Sequence, residues 1–265
     1  MQSQPMNLPK LPAHTVRGVF SDLDDTLTDE SLLLPDTLEA LHQLKRQGLW
    51  LVIVSGRPAG WADSIMRLVP LDAMIFENGA GLMWRDKDRV RTHCLASNTD
   101  LQSQKKILQD CFDHIKQNIP EAKLATDQPY RLFDYAIDFQ EEPPRLSEEQ
   151  VNWILSFLAH DSRVTAKLSS IHINYWVGKH TKLTACQYLL NQFGKEYGAS
   201  QQTVVYSGDS PNDEPLFGFF DLSVGVANVQ KYLPIMKQHP RYITPSAGGR
   251  GFQELVQHLC QKGMP

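Results

Sequence analysis

The run Leu49-Trp50-Leu51-Val52-Ile53-Val54 is the strongest constraint on how this chain folds. It is too short for a stable helix and stops at Ser55-Gly56, so it reads as a strand. A strand without polar alternation is buried on both faces, which is what a parallel sheet covered by helices requires. The neighbouring segments fit that sheet. Val16 to Ser21 is a short apolar-rich strand that stops at a cluster of acids. Pro35 and Asp36 open a helix carrying Leu38, Leu41 and Leu44 on roughly one face, and Gly48 ends it. A helix from Trp61 to Leu68 and a strand from Ala73 to Phe76 continue the alternation.

The same rhythm returns near the C-terminus. A helix from Thr181 to Phe193 leads to strands at Thr203–Tyr206, Leu222–Val226 and Arg241–Thr244. The loop Ala247–Gly251 then precedes a final helix ending near Lys262. The expected fold is α/β: a doubly wound, Rossmann-like parallel-sheet core made of residues 1–84 and 178–265. The middle reads as a strand, a helix from Leu101 to Asn118, strands at Ala122–Thr126 and Leu132–Phe139, a second helix, and two more strands. Ser147 with Gln150 three residues later makes a capping box for that second helix. Paired strands between helices predict an inserted α+β cap over 85–177. Pro143-Pro144 reads as a turn, and the charged run Arg85 to Arg91 as a solvated hairpin or linker.

Met1 to His14 is polar, holds three prolines and lacks the apolar stretch of a signal peptide, so its first dozen residues read as a loosely ordered lead-in. No apolar run approaches the ~20 residues that span a bilayer. A net charge of −4 gives no general attraction for nucleic acid or acidic membranes. The four cysteines are scattered without a CxxC pair, which fits a reducing compartment. The expectation is a cytoplasmic protein, a monomer or weak homo-oligomer, with no nucleic-acid or membrane partner.

Four features carry chemistry, and each follows a predicted strand or opens a helix beside the strand ends, where such sheets build their sites. Asp22-Leu23-Asp24-Asp25-Thr26 packs three carboxylates into four residues. They repel one another unless a cation such as Mg²⁺ sits among them, and one could then attack phosphorus. Ser55-Gly56-Arg57 offers a hydroxyl and backbone N–H groups to a phosphate, with a glycine that lets it approach. Lys182, with Lys179 as a rival, could neutralise a nucleophile and a phosphoryl group. Gly208-Asp209-Ser210-Pro211-Asn212-Asp213 supplies two further carboxylates for the metal and an amide for phosphate. Alone, each could be an ordinary turn or surface side chain. Their order behind successive strands points to phosphoryl transfer.

These residues resemble motifs one to four of the haloacid dehalogenase superfamily. The long insert, preceded by Glu77-Asn78-Gly79-Ala80, is similar to the Cof-type subclass IIB, which includes sucrose-phosphate, mannosyl-phosphoglycerate, trehalose-phosphate and broad sugar-phosphate phosphatases. The resemblance implies a Mg²⁺-dependent phosphatase for a small phosphorylated metabolite, a sugar or polyol phosphate. In it Asp22 becomes phosphorylated and Asp24 is the acid and base. Asp22, the backbone carbonyl of Asp24, and Asp209 hold Mg²⁺ with Asp213 in support. Ser55, Gly56, Lys182 and Asn212 bind the phosphoryl group, and Thr26 orders the nucleophile loop. Arg57, Arg131, His172 and Asn174 are the candidate substrate contacts, the last two on one strand face opposite Ile171, Ile173 and Tyr175. A phosphomutase with the same phospho-aspartate is the alternative enzyme. A non-catalytic phosphate-binding module expects a replaced nucleophile or acid, and a receiver domain is about half this length.

Overall fold

The computed structural model of the chain describes residues 5–96 and 100–261. The elements begin with β1 (Met6–Asn7), β2 (Gly18–Ser21), α1 (Pro35–Arg46), β3 (Trp50–Val54), α2 (Ala59–Leu68) and β4 (Ala73–Phe76). There follow β5 (Gly81–Asp86), β6 (Arg89–Cys94), α3 (Leu101–Asn118), β7 (Lys123–Leu124), β8 (Asp134–Asp138) and α4 (Glu148–Leu158). Next come β9 (Val164–Leu168), β10 (His172–Val177), α5 (Lys182–Tyr197), β11 (Val204–Gly208), α6 (Glu214–Phe219), β12 (Leu222–Gly225), β13 (Tyr242–Ile243) and α7 (Gly248–Gln261).

One sheet has the order β1-β13-β12-β11-β2-β3-β4-β5-β6. Its strands are parallel from β1 through β4, and β5 and β6 are added antiparallel. All five β3 side chains are buried. Leu51 and Ile53 pack with α1, α2 and α7, while Trp50, Val52 and Val54 face α5 and α6. Each such side chain contributes about 1.5–3 kcal/mol by leaving water, enough to offset the ordering of its backbone. The apolar run thus forms the two-sided layer expected of it.

The second sheet, β7-β8-β10-β9, is antiparallel. Ile173 and Tyr175 of β10 pack beneath α3 and α4 with Leu108, Ile115, Val151 and Ile154. His172 and Asn174, on the opposite face of β10, turn toward Glu141 and Asp134. Helix α4 has the capping box between Ser147 and Gln150.

Three expectations need correction. The segment read as a loose lead-in is ordered from Met6: β1 pairs with β13, and Leu8 and Leu11 are buried in the main core. Residues 1–4 lie outside the described residues. The passage between sheets does not fall at 84/85, because the hairpin β5–β6 completes the larger sheet through ladders from Gly81 to Cys94. The second sheet's own elements start with α3. The glycines after Ala247 are the first turn of α7 rather than a loop. A Cβ on Gly251 would come within 2.2 Å of the Ser246 carbonyl, so the tight packing of this turn selects glycine. Lys262, the expected end of that helix, lies outside the described residues.

The link between the sheets sits at Glu77-Asn78-Gly79. The buried Glu77 carboxylate accepts the N–H of Ala59 at the start of α2 and those of Leu132, Phe133 and Asp134 ahead of and in β8. Gly79 has φ +100°, and a Cβ there would stand 2.2 Å from the carbonyl of Thr181, the N-cap of α5. The turn therefore seats the start of α5 against the sheet. Gly79→Ala is expected to lower the unfolding free energy by roughly 2–4 kcal/mol, the sum of a strained backbone and an overfilled contact. A urea titration checks it, and an unchanged midpoint would show that α5 does not depend on this turn.

Candidate active site

Strands β11, β2 and β3 lie side by side and parallel, with Ser21 in register with Ser207 and Ile53. Their C-terminal loops therefore open at one end of the sheet, and those loops carry Asp22, Asp209 and Ser55. The loop after β2 is drawn to β11 directly, as the Asp22 N–H donates to the Ser207 carbonyl at 2.9 Å. Lys182 enters from the first turn of α5, whose N-cap Thr181 accepts from Thr184 N.

The centre of the site is a buried ammonium between two carboxylates. Lys182 Nζ donates to Asp22 Oδ1 at 2.8 Å and to Asp213 Oδ1 at 2.9 Å. Burial alone would lower the Lys182 pKa, but Asp213 and Asp22 outweigh it and hold the amine protonated. Burial, then Asp213, pushes Asp22 up to about 8 although Lys182 opposes them. Asp209 is driven well above the usual carboxylate range by burial, Asp213 and Asp22. One ammonium thus leaves the acidic site under-compensated. Asp22, Asp209 and Asp213 each offer a carboxylate oxygen within 4.8 Å of the others, an all-oxygen donor set that suits a hard cation.

The supporting contacts sort the remaining residues. Thr26 Oγ1 donates to Asp209 Oδ1 at 3.4 Å. Asp213 is the most heavily bonded acid of the trio, accepting from Tyr206 OH at 2.6 Å and from the N–H groups of Asp209 and Ser210 as well as from Lys182. That bonding holds the Asp209–Asp213 turn and orients Lys182. Ser210 Oγ donates to Asn212 Oδ1 at 2.9 Å. Ser55 is buried, and its Oγ accepts the Arg57 N–H. Lys179 is exposed, which leaves Lys182 as the lysine of the site.

Asp24 stands apart from the acidic trio. Its carboxylate accepts from Arg57 Nε at 3.0 Å and Nη2 at 2.9 Å. Arg57 continues across the gap between the sheets, from Nη1 to Asp127 at 3.2 Å and from Nη2 to Glu141 at 2.6 Å. The guanidinium also lies over the Trp61 ring. Arg131 bridges the same gap through the Gly56 carbonyl, Asp127 and Asp134. Asn174 donates to Asp134, and His172 Nε2 lies 2.9 Å from Glu141 Oε2. All three candidate contacts from the insert are buried; Arg131 and Asn174 are hydrogen-bonded to acids of the chain itself, and His172 lies beside one.

Four participants escaped the sequence reading. Tyr206 sits inside an apolar strand, where it reads as core. Asp127 and Glu141 lie in loops with no motif. Asn228 donates to Asp209 Oδ2 and to the Asp25 carbonyl, and lies in a short 3₁₀ stretch with no catalytic signature.

Residues 19–149 match the model of the haloacid dehalogenase-like hydrolase family. The chain is 24% identical to a phosphoglycolate phosphatase of Methanothrix thermoacetophila, over 94% of this chain and 99% of that one. It is 25% identical to a glucosyl-3-phosphoglycerate/mannosyl-3-phosphoglycerate phosphatase of Persephonella marina, over 92% and 97%. Its fold is similar to that of the C-terminal domain of trehalose-6-phosphate phosphatase from C. albicans, with a TM-score of 0.73, 16% identity and 98% of each chain covered. The chain belongs to the haloacid dehalogenase-like hydrolases and is an enzyme of their phosphatase class. Among the described residues no helix is long and apolar enough to cross a membrane.

Asn228 holds an acid of the candidate cation site from outside, and loss of such a partner typically costs 10–100-fold in metal affinity. Asn228→Ala is expected to weaken Mg²⁺ binding by about that factor, measured by calorimetric titration. Unchanged affinity would mean that Asp209 is positioned without it.

Proposed function

We propose that the chain is a magnesium-dependent phosphatase that hydrolyses a small phosphate monoester, a sugar or polyol phosphate, through phosphorylated Asp22. The observation that carries the reading is the Lys182 ammonium held between Asp22 and Asp213 at the edge of a buried acidic trio. A carboxylate so placed can attack phosphorus, while the lysine neutralises charge on the transferring group. Asp22, the backbone carbonyl of Asp24, and Asp209 would hold Mg²⁺ with Asp213 in support. The ion supplies charge neutralisation and orientation of the phosphoryl oxygens.

The chain's own groups do the rest. Asp24 gives a proton to the leaving oxygen and later takes one from the water that cleaves the aspartyl-phosphate. Arg57 fixes the Asp24 carboxylate, so the acid is oriented before substrate arrives. Ser55 Oγ, the backbone at Gly56 and the Asn212 amide would receive the phosphoryl oxygens. The second sheet acts as a cap over the leaving group: Glu141, in the loop after β8, accepts from Ser31 on the loop that follows the nucleophile and from Arg57 beside Asp24. Relatives that are phosphatases of phosphoglycolate and of glycosyl-phosphoglycerates support a small phosphorylated metabolite as substrate.

Release of phosphate from p-nitrophenyl phosphate should vanish on exhaustive chelation and return with Mg²⁺. Asp22→Asn should nearly abolish turnover. Asp24→Asn should cost about 10²–10⁴-fold and let a phosphorylated enzyme accumulate, detectable as an added phosphate by intact mass. Full activity in Asp22→Asn, or after chelation, would overturn the mechanism.

A further inference from the structure

The leaving oxygen must come within hydrogen-bond reach of Asp24, so whatever it is attached to extends into the groups around that carboxylate. Those groups form one buried charge cluster. Its cations are Arg57 and Arg131; its anions are Asp24, Asp127, Asp134 and Glu141. Two guanidinium groups thus face four carboxyl groups. Glu77, buried beside Asp134, brings a further carboxyl group to the same interface, its pKa pushed up to about 7 by burial and by Asp134.

The arginine nearest the leaving group has nothing left to offer. Arg57 Nε is spent on Asp24, Nη1 on Asp127 and Glu141, and Nη2 on Asp24 and Glu141. That is every N–H a guanidinium carries. To bind a carboxylate on the substrate, Arg57 would have to release the catalytic acid or strand a half-buried cap carboxylate, and a stranded charge is the costlier state. Glu141 is the most exposed cap acid of the cluster, with a side chain 20% accessible. Arg57 and the His172 imidazole hold it well below the usual carboxylate range in spite of its burial. It also accepts from Ser31 on the loop that follows the nucleophile. An ionised carboxylate in that place is a strong acceptor for substrate hydroxyls and repels a second carboxylate.

We infer that the leaving-group subsite takes uncharged, hydroxyl-bearing alcohols and rejects carboxylate-bearing ones, with Glu141 of the cap as the residue that sets this preference. The inference rests on the phosphatase reading above. Glycerol 1-phosphate and sorbitol 6-phosphate should be hydrolysed with kcat/KM at least about tenfold above 2-phosphoglycolate and 3-phosphoglycerate, the scale expected of a like-charge contact. In Glu141→Gln the ratio of neutral to carboxylate-bearing esters should fall several-fold. Asp127→Asn should move it in the same direction, which keeps the test standing if one variant fails to fold. Equal turnover of 2-phosphoglycolate and the polyol esters by the wild type would overturn the assignment, as would a ratio unmoved in both variants. Either result, with p-nitrophenyl phosphate still hydrolysed, leaves the phosphatase intact and removes only the specificity. A wild type that hydrolyses none of these esters with Mg²⁺ removes both.

Discussion

One ammonium among three buried carboxylates is the interaction on which the rest of the site depends. Lys182 is the first residue of α5, at the end where a helix dipole disfavours a cation. Local preference would put an acid there, and a charge buried without a partner is among the costliest arrangements a protein can hold. The lysine is tolerated only because Asp22 and Asp213 meet it within 2.9 Å. Those acids in turn tolerate burial only because the lysine is present and a cation can join them.

That mutual dependence explains why several distant features are so tightly built. Asp22 is set by the ladder between β2 and β11, Asp213 by Tyr206 and two backbone N–H groups, and Lys182 by the contact of Gly79 with the Thr181 carbonyl. Each device belongs to a different part of the chain. The site is the point where their tolerances coincide, and a shift of one by an ångström would leave a charge unpaired.

What could be read from the sequence was whatever depends on local pattern. The apolar run of β3, the helix from Leu101 to Asn118 and the capping box at Ser147 are signatures held within a few residues, and they appear where expected. The acids of the two loops were legible because clustered carboxylates have few structural uses. Tyr206 was not, since a hydroxyl on a buried strand looks like core until Asp213 is found 2.6 Å away. The N-terminal segment misled for a similar reason. Its prolines and polar residues describe a poor strand, yet two residues pairing with β13 and the burial of Leu8 and Leu11 are enough to fix it. Arg131, His172 and Asn174 were singled out as polar groups on or beside cap strands; the acids that occupy them come from elsewhere in the fold.

The junction between the two sheets follows from the same electrostatics. Where the cap faces the catalytic loops, the contacts are ionic and hydrogen-bonded: Arg57 with Asp127 and Glu141, Arg131 with the Gly56 carbonyl, Glu77 with the backbone ahead of β8. An apolar interface of that size would favour closure strongly, because opening it exposes oily surface to water. Ions behave differently. Each loses a partner on separation but regains its hydration, so buried pairs contribute little net stability. They do fix the docked arrangement, since guanidinium and carboxylate groups meet only in a few geometries. The charges that hold this interface also line the space beside Asp24, so the docking of the second sheet and the choice of leaving group are set by the same side chains.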